Sequence, residues 1–262
     1  MQKLTLYQID AFAEKPFSGN PAAVVLLDRW METQTMQNIA FENNLSETAF
    51  LVKSNDVYEV RYFTPTIEVD LCGHATLASA YVLFELEGYS NKIIIFRTQN
   101  RGDLFVNKSN DIFMLDFPTD SFKEAKLQEE LQKALDIQPE ECFAGLNDLL
   151  LVYQSEDQIR KLTPNFELLK KSNARGIMIT AKGNEVDFVS RFFAPASGIN
   201  EDPVTGSAHT TLIPYWYGKL GKKQMTAQQL SARGGTIYCE FAGDRVKIGG
   251  KAIHYLTGTI II

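Results

Sequence analysis

A short pattern occurs twice in this chain, about half a chain length apart. Arg61-Tyr62-Phe63-Thr64-Pro65 and Arg191-Phe192-Phe193-Ala194-Pro195 both read R-x-F-x-P. Each is followed by a turn of small residues that opens an apolar run. The first is Asp70-Leu71-Cys72-Gly73-His74-Ala75-Thr76, and the second is Asp202-Pro203-Val204-Thr205-Gly206-Ser207-Ala208-His209. The interval from proline to glycine is longer in the second copy. A strand, turn and helix repeated in the same order points to a duplicated unit with one insertion. A chain of 262 residues has room for two such units.

Periodicity fills in the halves. In the first, Leu4 to Phe12 alternates as a strand. Ala22 to Leu27 reads as a buried strand after the turn Ser18-Gly19-Asn20-Pro21. Thr33 to Phe41 has helical spacing and is ended by Asn43 and Asn44. Short strands are predicted at 48–52, 57–63, 92–97, 102–107 and 112–117. His74 to Glu87 is apolar on most sides and so predicts a buried helix. Pro118-Thr119-Asp120 breaks the pattern, and a charged amphipathic helix is predicted over 124–135. In the second half, strands are predicted at 149–153, 176–181, 186–193, 229–232, 236–241, 245–249 and 256–262, with an apolar helix over 207–217. Strands dominate, so the class is α+β: two domains, 1–119 and 120–254, with about 255–262 able to return to the first.

Composition excludes several functions. Net charge is −6 with no basic face, against a nucleic-acid binder; Lys219, Lys222 and Lys223 read as a solvated turn. No run of 18 apolar residues exists, and the N-terminal residues read as a strand rather than a signal peptide. Cys72, Cys142 and Cys239 fit neither a disulfide framework nor a zinc motif, which makes a reducing cytoplasmic setting the expectation. No metalloprotease motif or phosphate loop occurs.

Five residues stand out chemically. Glu47 lies where a polar turn enters an apolar strand, which desolvates a carboxylate and suits it to acid–base work; an edge glutamate facing water fits the same position. His74 follows Gly73 at a helix start, where the dipole favours a neutral imidazole. Asp202 before Pro203 fits a helix cap or an orienting group. Ser207 fits a helix start or a hydroxyl that meets substrate. Cys72 near a helix N-terminus is a candidate for a lowered thiol pKa. A two-thiol racemase needs a second cysteine at the matching place, which holds Val204 or Thr205, so Cys72 reads as a packing residue. Tyr215, Trp216 and Tyr217 fit the lining of a cleft or, at helical spacing, the core.

Five segments in register carry a resemblance: 17–24 (Phe-Ser-Gly-Asn-Pro-Ala-Ala-Val), 44–48 (Asn-Leu-Ser-Glu-Thr), 61–65, 72–76 (Cys-Gly-His-Ala-Thr) and 201–208 (Glu-Asp-Pro-Val-Thr-Gly-Ser-Ala). Together they resemble the phenazine-biosynthesis-like (PhzF-like) isomerases over nearly the whole chain. The resemblance implies a diaminopimelate-epimerase-like fold, each domain a strand barrel around a central helix, with the active site in the cleft between them. It implies Glu47 as the acid–base residue with His74 and Asp202 as catalytic partners, and Asn20, Gly73, Gly206 and Ser207 as substrate-binding positions. It further implies a small carboxylate-bearing substrate, no cofactor, no metal and a homodimer. Two rival functions remain: a one-base epimerase or racemase of an amino acid-like substrate, and a non-catalytic small-acid binding protein.

Overall fold

The computed structural model describes residues 1–172 and 174–262. Its chain divides into two compact units, Met1–Asp116 with Gly249–Ile262, and Phe117–Ile248.

The first unit contains β1 (Lys3–Ala11), β2 (Asn20–Leu27), α1 (Thr33–Asn43), β3 (Glu47–Ser54), β4 (Val57–Phe63), β5 (Glu68–Val69), α2 (Gly73–Tyr81), β6 (Ile93–Arg97), β7 (Asp103–Ser109) and β8 (Ile112–Pro118). β1 runs antiparallel to β2, β2 parallel to β3, β3 antiparallel to β4, β4 parallel to β6, and β6 and β7 continue antiparallel. The last strand of the chain (Ala252–Ile261) pairs antiparallel with β1. Helix α2 is buried on every side from His74 to Ala80, as its apolar sequence predicts, and it contacts β1, β2 and β3. A second cluster, with Met36, Ile39, Val25, Phe50 and Phe63, fills the space under α1. Asn44 ends α1 in the left-handed conformation (φ 47°), its N–H bonded to Ala40 O.

The second unit repeats the pattern. Its elements are β9 (Lys123–Glu124), α3 (Glu129–Ala134), β10 (Glu141–Ala144), β11 (Asp148–Val152), α4 (Glu156–Lys161), α5 (Phe166–Leu169), β12 (Gly176–Lys182), β13 (Phe188–Ala194), β14 (Ile199–Asp202), α6 (His209–Leu220), β15 (Gln224–Gln229), β16 (Gly235–Phe241) and β17 (Arg245–Gly250). The pairings from β10 to β16 follow the same series as those from β1 to β7: antiparallel, parallel, antiparallel, parallel, antiparallel. The hairpins β4–β5 and β13–β14 fall at matching places.

The R-x-F-x-P repeat has a physical content in this frame. Arg61 forks onto Glu68, Nε and Nη2 each 2.7 Å from a carboxylate oxygen, and Arg191 forks onto Glu201 at 2.7 and 3.1 Å. Each guanidinium also lies over the phenylalanine two residues on, 5.2 Å from the Phe63 ring centre and 4.9 Å from that of Phe193. Those two rings are fully buried, one in the core of each unit, where each contributes about 2 kcal/mol by removal from water. The motif therefore pins the short strand ahead of each buried helix.

Several sequence expectations are corrected. The helix over 124–135 is only Glu129–Ala134. Residues 123–124 pair with Phe143 and Ala144, and the Ala125 N–H goes on to Cys142 O, so the chain is extended there. The helix over 74–87 stays α-helical only to Tyr81 and finishes as a wider π turn over Val82–Leu86. The strand at 229–232 lies earlier, at 224–229, because Ser231 turns the chain by donating to Pro203 O and accepting from the Gly234 N–H. Tyr215 and Trp216 are buried as expected: Trp216 stacks on Phe188 at 5.6 Å and donates to Thr180 Oγ1. Among the described residues, no helix is long and apolar enough to cross a membrane.

Candidate functional site

Glu47 is the first residue of β3, opposite Ala22 in the parallel register with β2. The turn before it is tied by Asn43 Nδ2, which donates to Thr48 Oγ1 at 3.1 Å. Its side chain is 13% exposed and meets His74, with Nε2 3.0 Å from Oε2. Oε2 is buried and, His74 apart, has no hydrogen-bond partner. His74 is the second residue of α2, and the start of that helix is fixed from outside. Thr76 Oγ1 donates to Cys72 O at 2.6 Å, and the same hydroxyl pairs with Tyr62 OH at 2.6 Å. Asn20, fully buried at the start of β2, places its amide 3.3 Å from His74 Nδ1, and Cys72 Sγ lies 3.4 Å from that nitrogen. The ring is thus held on both of its nitrogens.

Gly19 makes the Asn20 position reachable. It adopts φ +71°, and a Cβ there would sit 2.2 Å from Ala11 O, so only glycine brings β2 back against β1 at this point.

The electrostatics correct two expectations. Burial alone depresses the His74 pKa, but Cys72 first and Glu47 second, by charge and hydrogen bond, outweigh that penalty and hold the imidazole well above its ordinary value. The helix N-terminus does not keep it neutral, because a full negative charge at 3.0 Å outweighs a partial positive one. The Cys72 thiol is pushed up by burial first and by Glu47 second, so it is not the activated thiolate that its place near a helix start suggested.

In the second unit the turn between β14 and α6 carries the other expected residues. Asp202 does not cap α6, whose first turn is preceded by Ala208; its carboxylate accepts from Thr205 Oγ1 at 2.5 Å and shapes the turn instead. Gln229, buried at the end of β15, closes the loop. Its Nε2 donates to Asp202 O (2.8 Å) and Thr205 Oγ1 (3.1 Å), and its Oε1 accepts from the Thr205 N–H (2.9 Å). His209, fully buried, donates from Nδ1 to Thr205 O at 2.9 Å. Gly206 is buried, and Ser207 is half-buried with Arg175 Nη2 3.5 Å from its Oγ. Arg175 is itself aimed by a fork to Asp148 at 3.0 and 2.5 Å.

The structure therefore gathers Asn20, Glu47, Gly73 and His74 in the first unit, and Asp202, Gly206 and Ser207 in the second. Sequence reasoning missed Thr205, Gln229, Arg175 and Asp148. Gln229 and Asp148 had one available signal, a polar residue at the end of a buried strand. Of the other cysteines, Cys239 is buried in β16 and Cys142 lies in β10; both are free.

Comparison with known proteins follows this geometry. The family model described as phenazine biosynthesis-like protein matches residues 9–258. An uncharacterized isomerase of Pseudomonas aeruginosa is 47% identical, with 98% of each chain covered. The crystal structure of a PhzF-family phenazine biosynthesis protein from Enterococcus faecalis superposes with a TM-score of 0.97 at 45% identity, covering all of both chains. A hydroxyproline epimerase from Agrobacterium vitis, at 10% identity, has a TM-score of 0.63 over 98% of this chain and 92% of its own. That likeness is one of fold, which is the α+β diaminopimelate-epimerase-like class.

Proposed function

This chain belongs to the phenazine biosynthesis-like protein family, and on that premise we propose that it is an isomerase that moves a proton within a small carboxylate-bearing molecule by acid–base catalysis. The observation that carries the proposal is the nearly buried Glu47–His74 pair at 3.0 Å. Glu47 takes a proton from a carbon of the substrate made acidic by its own unsaturation. The electron pair left by the broken C–H bond spreads into the substrate's unsaturated system. Glu47 then returns the proton to a different carbon, so that the product is a constitutional isomer. His74 offers positive charge where negative charge develops, and the N–H groups at the start of α2, from Gly73 onward, add to it. Asn20 holds the ring in place.

In this proposal Asp202 assists the transfer from a turn that Thr205 and Gln229 keep fixed, and Gly206 and Ser207 bind the substrate, with the half-exposed Arg175 beside them as the carboxylate's counter-charge. Every proton moves between substrate and side chains, so no cofactor is needed. A homodimer, which the family resemblance implies, in the cytoplasm, which the scattered cysteines suggest, with no nucleic acid or membrane partner, completes the proposal.

Incubating unsaturated cyclic acids and amino acids with the protein in D₂O and following them by NMR tests the reaction type. Deuterium in a constitutional isomer supports the proposal. Deuterium confined to one inverted stereocentre means a one-base epimerase instead. Binding without exchange means a small-acid binding protein.

A further inference from the structure

The N-cap residue of α2 is Cys72, whose side chain offers no oxygen to the first N–H groups of the helix. The helix start is held from the carbonyl side instead. Cys72 O accepts from the Thr76 N–H at 3.0 Å and from Thr76 Oγ1 at 2.6 Å. A threonine in a helix divides between two rotamers, of which one turns the hydroxyl back onto the preceding turn. Tyr62 settles the choice. Fully buried in β4, it places its hydroxyl 2.6 Å from Thr76 Oγ1. The single Thr76 hydroxyl proton goes to Cys72 O, so Tyr62 is the donor in that pair.

The second unit makes the same attachment with different chemistry. Thr205 O, again the carbonyl just before the glycine, accepts from His209 Nδ1, again from four residues on. In the repeated motif Phe192 stands where the first copy has Tyr62, and His209 stands where it has Thr76. An imidazole N–H is fixed in the plane of its ring, whereas a hydroxyl rotates and needs a second group to aim it. The tyrosine is therefore present in the unit that uses a hydroxyl and absent from the unit that uses an imidazole.

We propose that Thr76, aimed by Tyr62, is a positioning residue for Glu47 and His74. Holding Cys72 O fixes the peptide that leads into Gly73 and His74. It thereby fixes the His74 ring among Cys72 Sγ at 3.4 Å, the Asn20 amide at 3.3 Å and Glu47 Oε2 at 3.0 Å. It also holds the helix start without an oxygen cap over the first N–H groups, which leaves them for negative charge on the substrate. Thr76 and Tyr62 are themselves buried, so they act through the residues they hold. The part of the proposal that concerns turnover rests on the isomerase reading, and the part that concerns the His74 ring does not.

The test compares the native protein with Thr76→Val, Thr76→Ser and the double variant Tyr62→Phe/Thr76→Val. It reads Tm, the NMR titration of the His74 ring and Glu47-dependent deuterium exchange. Thr76→Val keeps the shape of the side chain, loses the bond to Cys72 O and strands the Tyr62 hydroxyl. It should lower Tm by about 5 °C and slow exchange by about tenfold or more. The double variant strands no hydroxyl, so most of the Tm should return while exchange stays slow. Thr76→Ser keeps the hydroxyl and should exchange at close to the native rate. In both valine variants the His74 titration should move down from its raised native position toward the ordinary histidine range, and in Thr76→Ser it should stay. A merely structural hydroxyl predicts that titration and exchange recover with Tm in the double variant; that result overturns the proposal, as does an unmoved His74 titration in both valine variants. Where Thr76→Val folds poorly, the double variant carries the comparison. A native protein without exchange activity sinks the isomerase reading, and the His74 titration alone then decides whether Thr76 positions the ring.

Discussion

His209 ties protein stability to the shape of the Thr205-Gly206-Ser207 turn, and its pH dependence has a size that follows from its surroundings. The residue is fully buried, donates from Nδ1 to Thr205 O, and has no partner for Nε2. Burial pushes its pKa down from 6.5 to about 4. The unfolded chain therefore takes up this proton at a higher pH than the folded one. The stabilisation is fully present above about pH 6.5, declines as pH falls and is gone below about 4. At about 1.4 kcal/mol per pH unit, the window makes about 3 kcal/mol of stability depend on this one group. The comparison that isolates it is urea unfolding of the native protein and of His209→Leu at several values between pH 8 and pH 4. At pH 8 the variant should be less stable by about 1–3 kcal/mol, since Thr205 O loses its donor. As pH falls the difference should shrink and reverse sign near pH 4, where the native protein must bury a charge. His74 and the carboxylates titrate in both proteins and cancel in the difference. Parallel stability curves from pH 8 to pH 4 would refute the reasoning.

Two further outcomes follow from the same geometry. Gln229→Leu strands the Thr205 N–H and the Asp202 carbonyl; it should cost about 2–4 kcal/mol in thermal or urea unfolding and reduce deuterium exchange by more than the fraction unfolded accounts for, because the Asp202 turn loosens. Gly19→Ala forces a left-handed alanine against Ala11 O and should cost more than about 2 kcal/mol by urea unfolding, with exchange activity falling alongside as Asn20 moves off His74; a variant as stable as the native protein would mean the β1–β2 connection is not fixed there.

Much of the fold was legible because local pattern and tertiary role agree. The apolar run after Gly73 is a fully buried helix, and R-x-F-x-P marks a strand in both units because its arginine and phenylalanine do the same work in each. The short elements were not legible: Lys123–Glu124 and Glu141–Ala144 owe their form to hydrogen bonds with other strands, and Phe166–Leu169 is a single helical turn capped by Asn165, too short to show a periodicity. At the candidate site, motifs single out Glu47, His74 and Asp202, but they do not give the surroundings that shift the groups' pKa values. The raised pKa of His74 depends on Cys72 and on a carboxylate 27 positions earlier in the sequence at 3.0 Å, and the raised pKa of the Cys72 thiol depends first on burial. Arg175 and Asp148 meet from separate segments, and Gln229 reaches the Thr205 turn from a distant strand, so the partners of each contact cannot be read locally.

The most direct test of the central claim is solvent deuterium incorporation by the native protein and by Glu47→Gln on the same substrate panel. The amide keeps the shape of the side chain and cannot take a proton from carbon. The account predicts incorporation by the native protein and a fall of about 10²–10⁴-fold in the variant, with folding unchanged by circular dichroism. Incorporation at the native rate in Glu47→Gln would contradict it and place the base elsewhere.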